Sequence, residues 1–249
     1  MHKHKIFIGT SGWHYAHWEG RFYPEGMKPE HFLEYYLKYF DTVEINNSFY
    51  HLPKAETFKS WRDSAPDNFI FAVKASRFIT HMKKLSDPKK SIKLFFDRVK
   101  MLGKKCGPIL FQLPPYWHCN IERLSDFLKS LPKSYRYAFE FRDETWCNND
   151  VTKLLQKHNA AFCIYDLNWY TSPKFVTADF AYIRLHGPDG KYAGDYSDKQ
   201  LKEWAKFIKK CYNDGKDAYC YFDNDEAAYA AKNALELKAR LINRAQQKN

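Results

Sequence analysis

Eight short apolar stretches recur along the chain, and several of them end in charged or amide residues. Such a stretch is typical of a buried β-strand whose carboxyl end becomes polar. The predicted strands cover residues 5–10, 42–46, 69–74, 108–112, 135–141, 161–166, 181–186 and 218–222. Because α/β proteins bind ligands at the carboxyl ends of their strands, the pattern predicts which end of the molecule is functional.

Helical patterns occupy the gaps between these strands. Pro29 opens one helix, and a second begins at Pro88 and ends at Gly103. An Ala-, Leu- and Lys-rich helix is predicted over residues 225–242. Between residues 167 and 179 the expected sixth helix is at best short, because the helical pattern is weakest there.

Regular alternation of strands and helices predicts parallel pairing with right-handed crossovers. An open doubly wound sheet and a closed barrel both satisfy this alternation. The eight strands, the length of 249 residues and the lack of a GxGxxG turn after the first strand favour the barrel. The sequence therefore predicts an α/β protein with a single TIM-like (β/α)8 barrel domain over residues 1–249, with some helices short or irregular.

The composition limits the classes of partner and the cellular compartment, but it indicates no specific function. The net charge of +11 favours anionic partners and permits binding to nucleic acid, although the lysine pairs are scattered rather than gathered in one stripe. The six cysteines form no CxxC pair, which is typical of reduced thiols. The chain has no apolar signal segment or membrane-spanning run, so a cytoplasmic protein without a membrane partner is predicted.

The alternation of side chains along each strand predicts which residues line the carboxyl end. Glu44 shares a face with Asn46, and Glu140 shares a face with Arg142. The predicted set on these faces and strand ends is Glu44, Asn46, Lys74, Gln112, Glu140, Arg142, Asp166, Arg184, His186, Tyr221 and Asp223. Their charges nearly cancel, which is compatible with a structural ion-pair network. Because barrel interiors usually hold branched apolar layers, a ligand site is the favoured interpretation.

Roles within this set follow from side-chain chemistry. Glu44, Glu140 and His186 are candidate acid–base groups. Lys74, Arg142 and Arg184 would orient ligand oxygens, and Asn46, Gln112 and Asp166 would supply polar contacts. No HxH or HExxH spacing supports a metal site, so neither a metal nor a cofactor is predicted. Ser11 and Ser48 lack the local context of a serine nucleophile.

Two loops carry further expectations. Trp13 lies in a glycine-containing loop after the first strand, where it could stack on a flat ligand or belong to a folded cap. The segment 187–194 is a candidate mobile lid. Together with the start of the last helix near Asp225, it also occupies the usual phosphate position of barrels, although Asp189 and Asp195 disfavour an anion there.

Eight segments, in order and covering nearly the whole chain, resemble the DUF72 (YecE-like) family. They are residues 9–13 (GTSGW), 18–24 (WEGRFYP), 42–50 (TVEINNSFY), 71–74 (FAVK) with Thr80-His81, 110–115 (LFQLPP), 139–142 (FEFR) with Trp146, 182–187 (YIRLHG) and 221–225 (YFDND). The family pattern often has His where this chain has Asp143, and Asn where it has Asp223. The resemblance implies a (β/α)8-barrel-like fold and supplies no activity.

Three functions follow as hypotheses. The first is an enzyme-like barrel that binds a small polar or anionic ligand at the strand ends. The second is a metal-dependent phosphoesterase or nuclease-like barrel that uses Glu44, Glu140, His186 and Asp223. The third is a noncatalytic protein that binds nucleic acid through its positive charge. The sequence leaves the oligomeric state open.

Overall fold

A computed structural model describes residues 4–242 of the chain. Within this range the strands are β1 Ile6–Thr10, β2 Thr42–Ile45, β3 Ile70–Lys74, β4 Cys106–Gln112, β5 Tyr137–Glu140, β6 Ala161–Leu167, β7 Tyr170–Thr171, β8 Phe180–Leu185 and β9 Asp217–Phe222. The α-helices are α1 Phe32–Tyr36, α2 Ala55–Ser64, α3 Pro88–Val99, α4 Ile121–Ser130, α5 Asn149–Lys157, α6 Asp198–Asn213 and α7 Tyr229–Ile242. Every predicted strand is found with its ends shifted by at most two residues.

The chain forms two compact units. The first comprises the described residues up to Val43, Ile164–Lys174 and the described residues from Asp179 onward. Its strands β1, β9 and β8 pair in parallel. The second unit comprises Glu44–Cys163 and Phe175–Ala178, and in it β3, β4 and β5 pair in parallel. The prediction of one domain over residues 1–249 stays a prediction.

The strand order is β1-β9-β8-β6-β5-β4-β3-β2, with β7 beside β6. Apart from the antiparallel β7, the order and parallel pairing are those of a TIM-like (β/α)8 fold. The predicted fold class is therefore confirmed. Strands β2, β5, β8 and β9 are buried along their whole length, as expected of strands covered on both faces.

The sixth repeat has a hairpin where a helix would be expected. Strand β7 pairs antiparallel with β6, and Leu167 faces Tyr170 across the turn. Asn168 and Trp169 both have positive φ, at 52° and 63°, as the two central residues of a type I′ turn require. The weak helical pattern in this segment is thus explained by a turn.

The last two helices begin differently from one another. Ser197 caps α6, because its side chain accepts from the Gln200 N–H and the Gln200 side chain accepts from the Ser197 N–H. Helix α7 begins at Tyr229, so the predicted start at residue 225 is wrong. Residues 225–228 form a turn in which the Ala228 N–H donates to the Asp225 carbonyl and Ala228 has φ 61°. No helix in residues 4–242 is both long and apolar enough to cross a membrane.

Candidate functional site

Four polar side chains of the first unit form a buried group, here called the arginine–histidine cluster: Ser11, Arg184, His186 and Asp223. Arg184 lies in β8, while His186 and Asp223 follow the carboxyl ends of β8 and β9. The Asp223 Oδ2 atom lies 2.9 Å from the Arg184 guanidinium and 3.0 Å from His186 Nδ1. Parallel pairing of β8 with β9 brings these strand ends to one edge.

The contacts of His186 define its tautomer. Its Nε2 atom lies 3.2 Å from an Arg184 guanidinium nitrogen. Because a guanidinium only donates hydrogen bonds, Nε2 accepts and Nδ1 carries the proton that is donated to Asp223. His186 therefore lies between Arg184 and Asp223 and contacts both. This geometry favours a linking role, and the predicted acid–base role of His186 stays a prediction.

Ser11 is bound by a group that cannot activate it. Its Oγ atom accepts from Arg184 at 3.2 Å. An arginine side chain does not take up a proton, so this contact gives no general base. The expectation that Ser11 lacks the context of a serine nucleophile stays a prediction.

Three further predicted residues lie in the first unit. Tyr221 is buried, and its hydroxyl lies 2.8 Å from Thr42 Oγ1. Asp166 is buried near Tyr196, and this burial raises the pKa of its carboxyl group. Trp13 is buried as well, and its carbonyl accepts the Tyr23 hydroxyl. For Trp13 these contacts favour the folded cap over ligand stacking.

Trp18 and the candidate lid, residues 187–194, are also held by hydrogen bonds. Trp18 is fully buried, and its indole N–H donates to the Asp225 carbonyl at 3.3 Å. In the candidate lid, the Gly187 N–H donates to the Tyr196 hydroxyl at 3.1 Å. The Gly194 carbonyl accepts from Asn224 at 2.8 Å. The lid segment is thus hydrogen-bonded at both ends, and its mobility stays a prediction.

Five polar side chains of the second unit form the lysine–arginine cluster: Lys74, His81, Gln112, Glu140 and Arg142. Gln112 and Glu140 end β4 and β5 and face each other in the parallel register. Gln112 donates to Glu140 Oε1 at 2.7 Å, and Arg142 Nε donates to the same oxygen. The Cys163 thiol donates to Oε2 at 3.8 Å. Glu140 is fully buried and holds Arg142 in place.

Lys74 ends β3 and is only 4% exposed. Its ammonium nitrogen lies 4.2 Å from the centroid of the Phe49 ring. Phe49 belongs to the 3-10 turn Asn47–Phe49 that follows β2. The Ser48 hydroxyl of the same turn donates to the Lys74 carbonyl at 2.6 Å. The turn after β2 therefore fixes both the backbone and the charged end of Lys74.

His81 was not among the predicted site residues. It lies in the π-helical turn Phe78–Met82, and its ring contacts Phe49 at 5.0 Å between centroids. Its Nδ1 atom lies 2.9 Å from Thr80 Oγ1. Burial, and after it the charges of Lys74, Arg77 and Arg142, lower the pKa of His81 to about 4 against the opposing effect of Glu140. The Thr80-His81 pair was noted only as part of the family resemblance.

The remaining predicted residues of the second unit lie in and after β2. Glu44 is fully buried within the strand. Asn46 follows the strand, and its buried Oδ1 atom has no hydrogen-bond partner among residues 4–242. A buried acceptor without a donor calls for a water molecule or a ligand group that supplies one. Asn46 is therefore a candidate ligand contact.

Two other features complete this unit. An open groove of about 930 Å³ is lined by Phe78, Lys83, Asp87, Pro88, Lys89, Lys90 and Ser91. Asp143 accepts from the Thr145 N–H at 3.1 Å at the start of a 3-10 turn, and the bonds from Thr145 lower the pKa of its carboxyl group. Its contacts are those of a capping residue. In the described range 4–242, no three His, Cys, Asp or Glu side chains gather as a metal-binding group.

Comparison with known proteins gives a family match over most of the chain. The model of the family "Protein of unknown function DUF72" matches residues 7–249. The UPF0759 protein YunF of Bacillus subtilis (strain 168) is 24% identical in an alignment of 265 positions, gaps included, that covers 93% of each chain. The UPF0759 protein YecE of Escherichia coli (strain K12) is 31% identical over 138 residues, which cover 55% of this chain and 48% of YecE.

Solved structures agree with the strand topology. A DUF72 family protein of Thermotoga maritima MSB8 is 30% identical, with a TM-score of 0.86 over 96% of this chain and 99% of that one. A DUF72 family protein of Enterococcus faecalis V583 has a TM-score of 0.82 at 19% identity, and the match covers 95% of each chain. The second likeness concerns the fold alone.

Proposed function

Since the chain belongs to the DUF72 family, described as proteins of unknown function, we propose that it binds a small anionic ligand at the lysine–arginine cluster and acts on it by acid–base chemistry. The observation that carries this proposal is the charge around His81. Three cations, Lys74, Arg77 and Arg142, act on that side chain against one carboxylate, Glu140. A negatively charged ligand would complement this surplus of positive charge.

The two cations Lys74 and Arg142 have different chemistry. Arg142 is held by Glu140 and presents a planar fork, which suits two oxygens of a carboxylate or phosphate. Lys74 supplies a compact charge held on the Phe49 ring. Both follow or end buried strands, and rigid elements of this kind place charged groups accurately.

The carboxylates Glu140 and Glu44 have different roles in this proposal. Glu140 accepts from Gln112, Arg142 and Cys163, so we assign it the orientation of Arg142. Glu44, fully buried in β2, is the candidate acid–base carboxylate of the second unit. The acid–base role predicted for His186, which lies in the first unit beside Arg184 and Asp223, is separate from this proposal and stays a prediction.

Titration with acetate and with inorganic phosphate at low salt tests the proposal. Lys74→Met and Arg142→Gln are each expected to weaken binding by about tenfold to a hundredfold, because each removes a charge-assisted contact worth about 1.5–3 kcal/mol. Lys93→Met is the matched control, because Lys93 is exposed on α3 and pairs with Asp97. No binding of either anion, or an equal loss in the Lys93 variant, would contradict the proposal.

The groove beside the π-helical turn favours a second candidate function, the binding of single-stranded nucleic acid. Phe78 exposes 42% of its surface there, beside Lys83, Lys89 and Lys90. An exposed ring next to several cations suits a stacked base and its phosphates. A labelled oligothymidylate is expected to bind with a steep loss of affinity as salt rises. Binding that is unchanged when these three lysines are replaced by methionine would remove this candidate.

A further inference from the structure

We propose that His81 binds an uncharged hydroxyl group beside the anionic group of the ligand, so that the lysine–arginine cluster selects small hydroxylated anions. This inference rests on the proposed anion site and adds the chemical class of its ligand. His81 is not among the predicted site residues, and the descriptions of the relatives give it no role.

The position of His81 places it beside the bound charge. Its ring meets Phe49 almost perpendicularly, at 82° and 5.0 Å between centroids. The Lys74 ammonium lies on that same Phe49 ring, at 4.2 Å. A single aromatic side chain therefore contacts both the cation and the imidazole.

The orientation of His81 leaves one nitrogen for a ligand. The contact of Nδ1 with Thr80 Oγ1, at 2.9 Å, is the one hydrogen bond of this imidazole within the described chain. Thr80 is fully buried, so the ring is anchored from its protein side. The π-helical turn is closed by the Lys83 N–H, which donates to the Phe78 carbonyl at 2.9 Å. Single π-helical turns are rare and are frequent at functional sites.

The charge state of His81 favours an uncharged partner. Burial and the neighbouring cations keep the imidazole neutral near pH 7, because they lower its pKa to about 4. A neutral imidazole adds no charge to the cationic cluster, and it can donate or accept at Nε2. The anionic part of the ligand then belongs to Lys74 and Arg142, while His81 contacts the adjoining polar part.

Asn46 supplies an independent observation. Its buried Oδ1 atom lacks a donor among residues 4–242. Its carbonyl accepts the Phe49 N–H at 3.1 Å, so Asn46 opens the same turn that presents the Phe49 ring. A ligand hydroxyl both donates and accepts, which suits an amide oxygen and an imidazole nitrogen together. An anion without a hydroxyl group supplies no donor to the Asn46 oxygen.

Paired anions that differ by one hydroxyl-bearing group test the inference. Acetate is compared with glycolate, and inorganic phosphate with glycerol 3-phosphate, so that the two arms also separate carboxylates from phosphates. In at least one arm the wild-type protein is expected to prefer the hydroxylated anion about tenfold, as one or two net hydrogen bonds would give. His81→Phe is expected to reduce this preference to about one, measured as the ratio of the two affinities within each arm.

His81→Gln is the conservative variant, and it is expected to retain part of the preference because its amide can donate and accept. Asn46→Leu is expected to reduce the preference as His81→Phe does. Binding of acetate or phosphate without any preference for the hydroxylated partner overturns this inference and leaves the anion site intact. A preference that survives His81→Phe also overturns it. No binding of any of the four anions overturns the proposed function itself, and this inference with it.

Discussion

The ammonium group of Lys74 lies 4.2 Å from the centre of the Phe49 ring. Both side chains are buried, and a desolvated cation–π contact of this kind contributes about 2 kcal/mol. The same ring meets the His81 ring almost perpendicularly, at 5.0 Å between centroids. Phe49 is therefore a positioning residue that sets where the charge of Lys74 and the imidazole of His81 lie.

Replacing Phe49 by leucine tests this role. The smaller side chain keeps an apolar contact but removes the aromatic face that holds Lys74, so we expect the affinity for acetate or phosphate to fall about tenfold. Titration of each anion into the folded variant measures this loss. Denaturant unfolding should also show a loss of stability of about 1–3 kcal/mol from the lost ring.

Phe69→Leu is the matched control, because Phe69 is a buried ring of the same unit that packs on Phe71. It is expected to lower stability by a similar amount without changing anion affinity. Equal losses of affinity in the two variants would mean that Phe49 acts only through general packing.

The lowered pKa of His81 is expected to make the free energy of unfolding depend on pH. Its pKa is about 4 in the folded protein and near 6.5 in an unfolded chain, so the unfolded state takes up the proton first as pH falls. The contribution of the neutral imidazole is complete above pH 6.5 and is lost as pH falls toward 4. After allowance for solvent screening of this half-buried ring, the loss is about 1–2 kcal/mol.

Denaturant unfolding at a series of pH values between 7 and 4 measures this slope, and His81→Gln removes the titrating group. The variant is expected to lose less stability than the wild type over that range. His31→Gln serves as the control, since His31 is exposed, and it should leave the slope unchanged. Parallel curves for the wild type and the His81 variant would contradict the prediction.

Strand alternation predicted a large part of the candidate site. Gln112 and Glu140, each at the end of a predicted strand, meet across the parallel register, because neighbouring strands in a barrel end at one edge. Arg184, His186 and Asp223 meet for the same reason. The period of two along a buried strand was sufficient to find these residues.

His81 could not be found in that way. It lies in a π-helical turn, whose spacing matches neither a strand nor an ordinary α-helix. The lowered pKa comes from burial and from cations on other elements, which become neighbours only in the folded protein. The turn after β6 was not predicted, because Trp169 stands where a type I′ turn usually has glycine.

The arginine–histidine cluster predicts an unequal response to two substitutions. Arg184→Met removes the cation from a buried carboxylate, and we expect a loss of about 3–5 kcal/mol in the free energy of unfolding. Asp223→Asn keeps an oxygen that can accept from Arg184 and from His186, so a smaller loss is expected. Denaturant unfolding of both variants measures the difference. A larger loss for Asp223→Asn than for Arg184→Met would contradict this ordering.

Substitution by alanine is expected to lower the free energy of unfolding by different amounts at Gly9 and at Gly20. A Cβ atom on Gly9 would overlap the Thr42 carbonyl oxygen and would lie 3.1 Å from the Tyr36 hydroxyl. That hydroxyl also donates to the Thr42 carbonyl and accepts from the Thr10 N–H, so the crowded atoms are fixed on several sides. We expect Gly9→Ala to lower the free energy of unfolding by about 3 kcal/mol, because backbone must shift.

Gly20 has φ +71°, with nothing within 4 Å of an added Cβ atom. Gly20→Ala therefore carries only the cost of a left-handed backbone, about 1 kcal/mol. Thermal and denaturant unfolding of the two variants separates steric overlap from backbone strain. Similar losses in both would show that β1 can move away from Thr42, and the close approach at Gly9 would then not be required for folding.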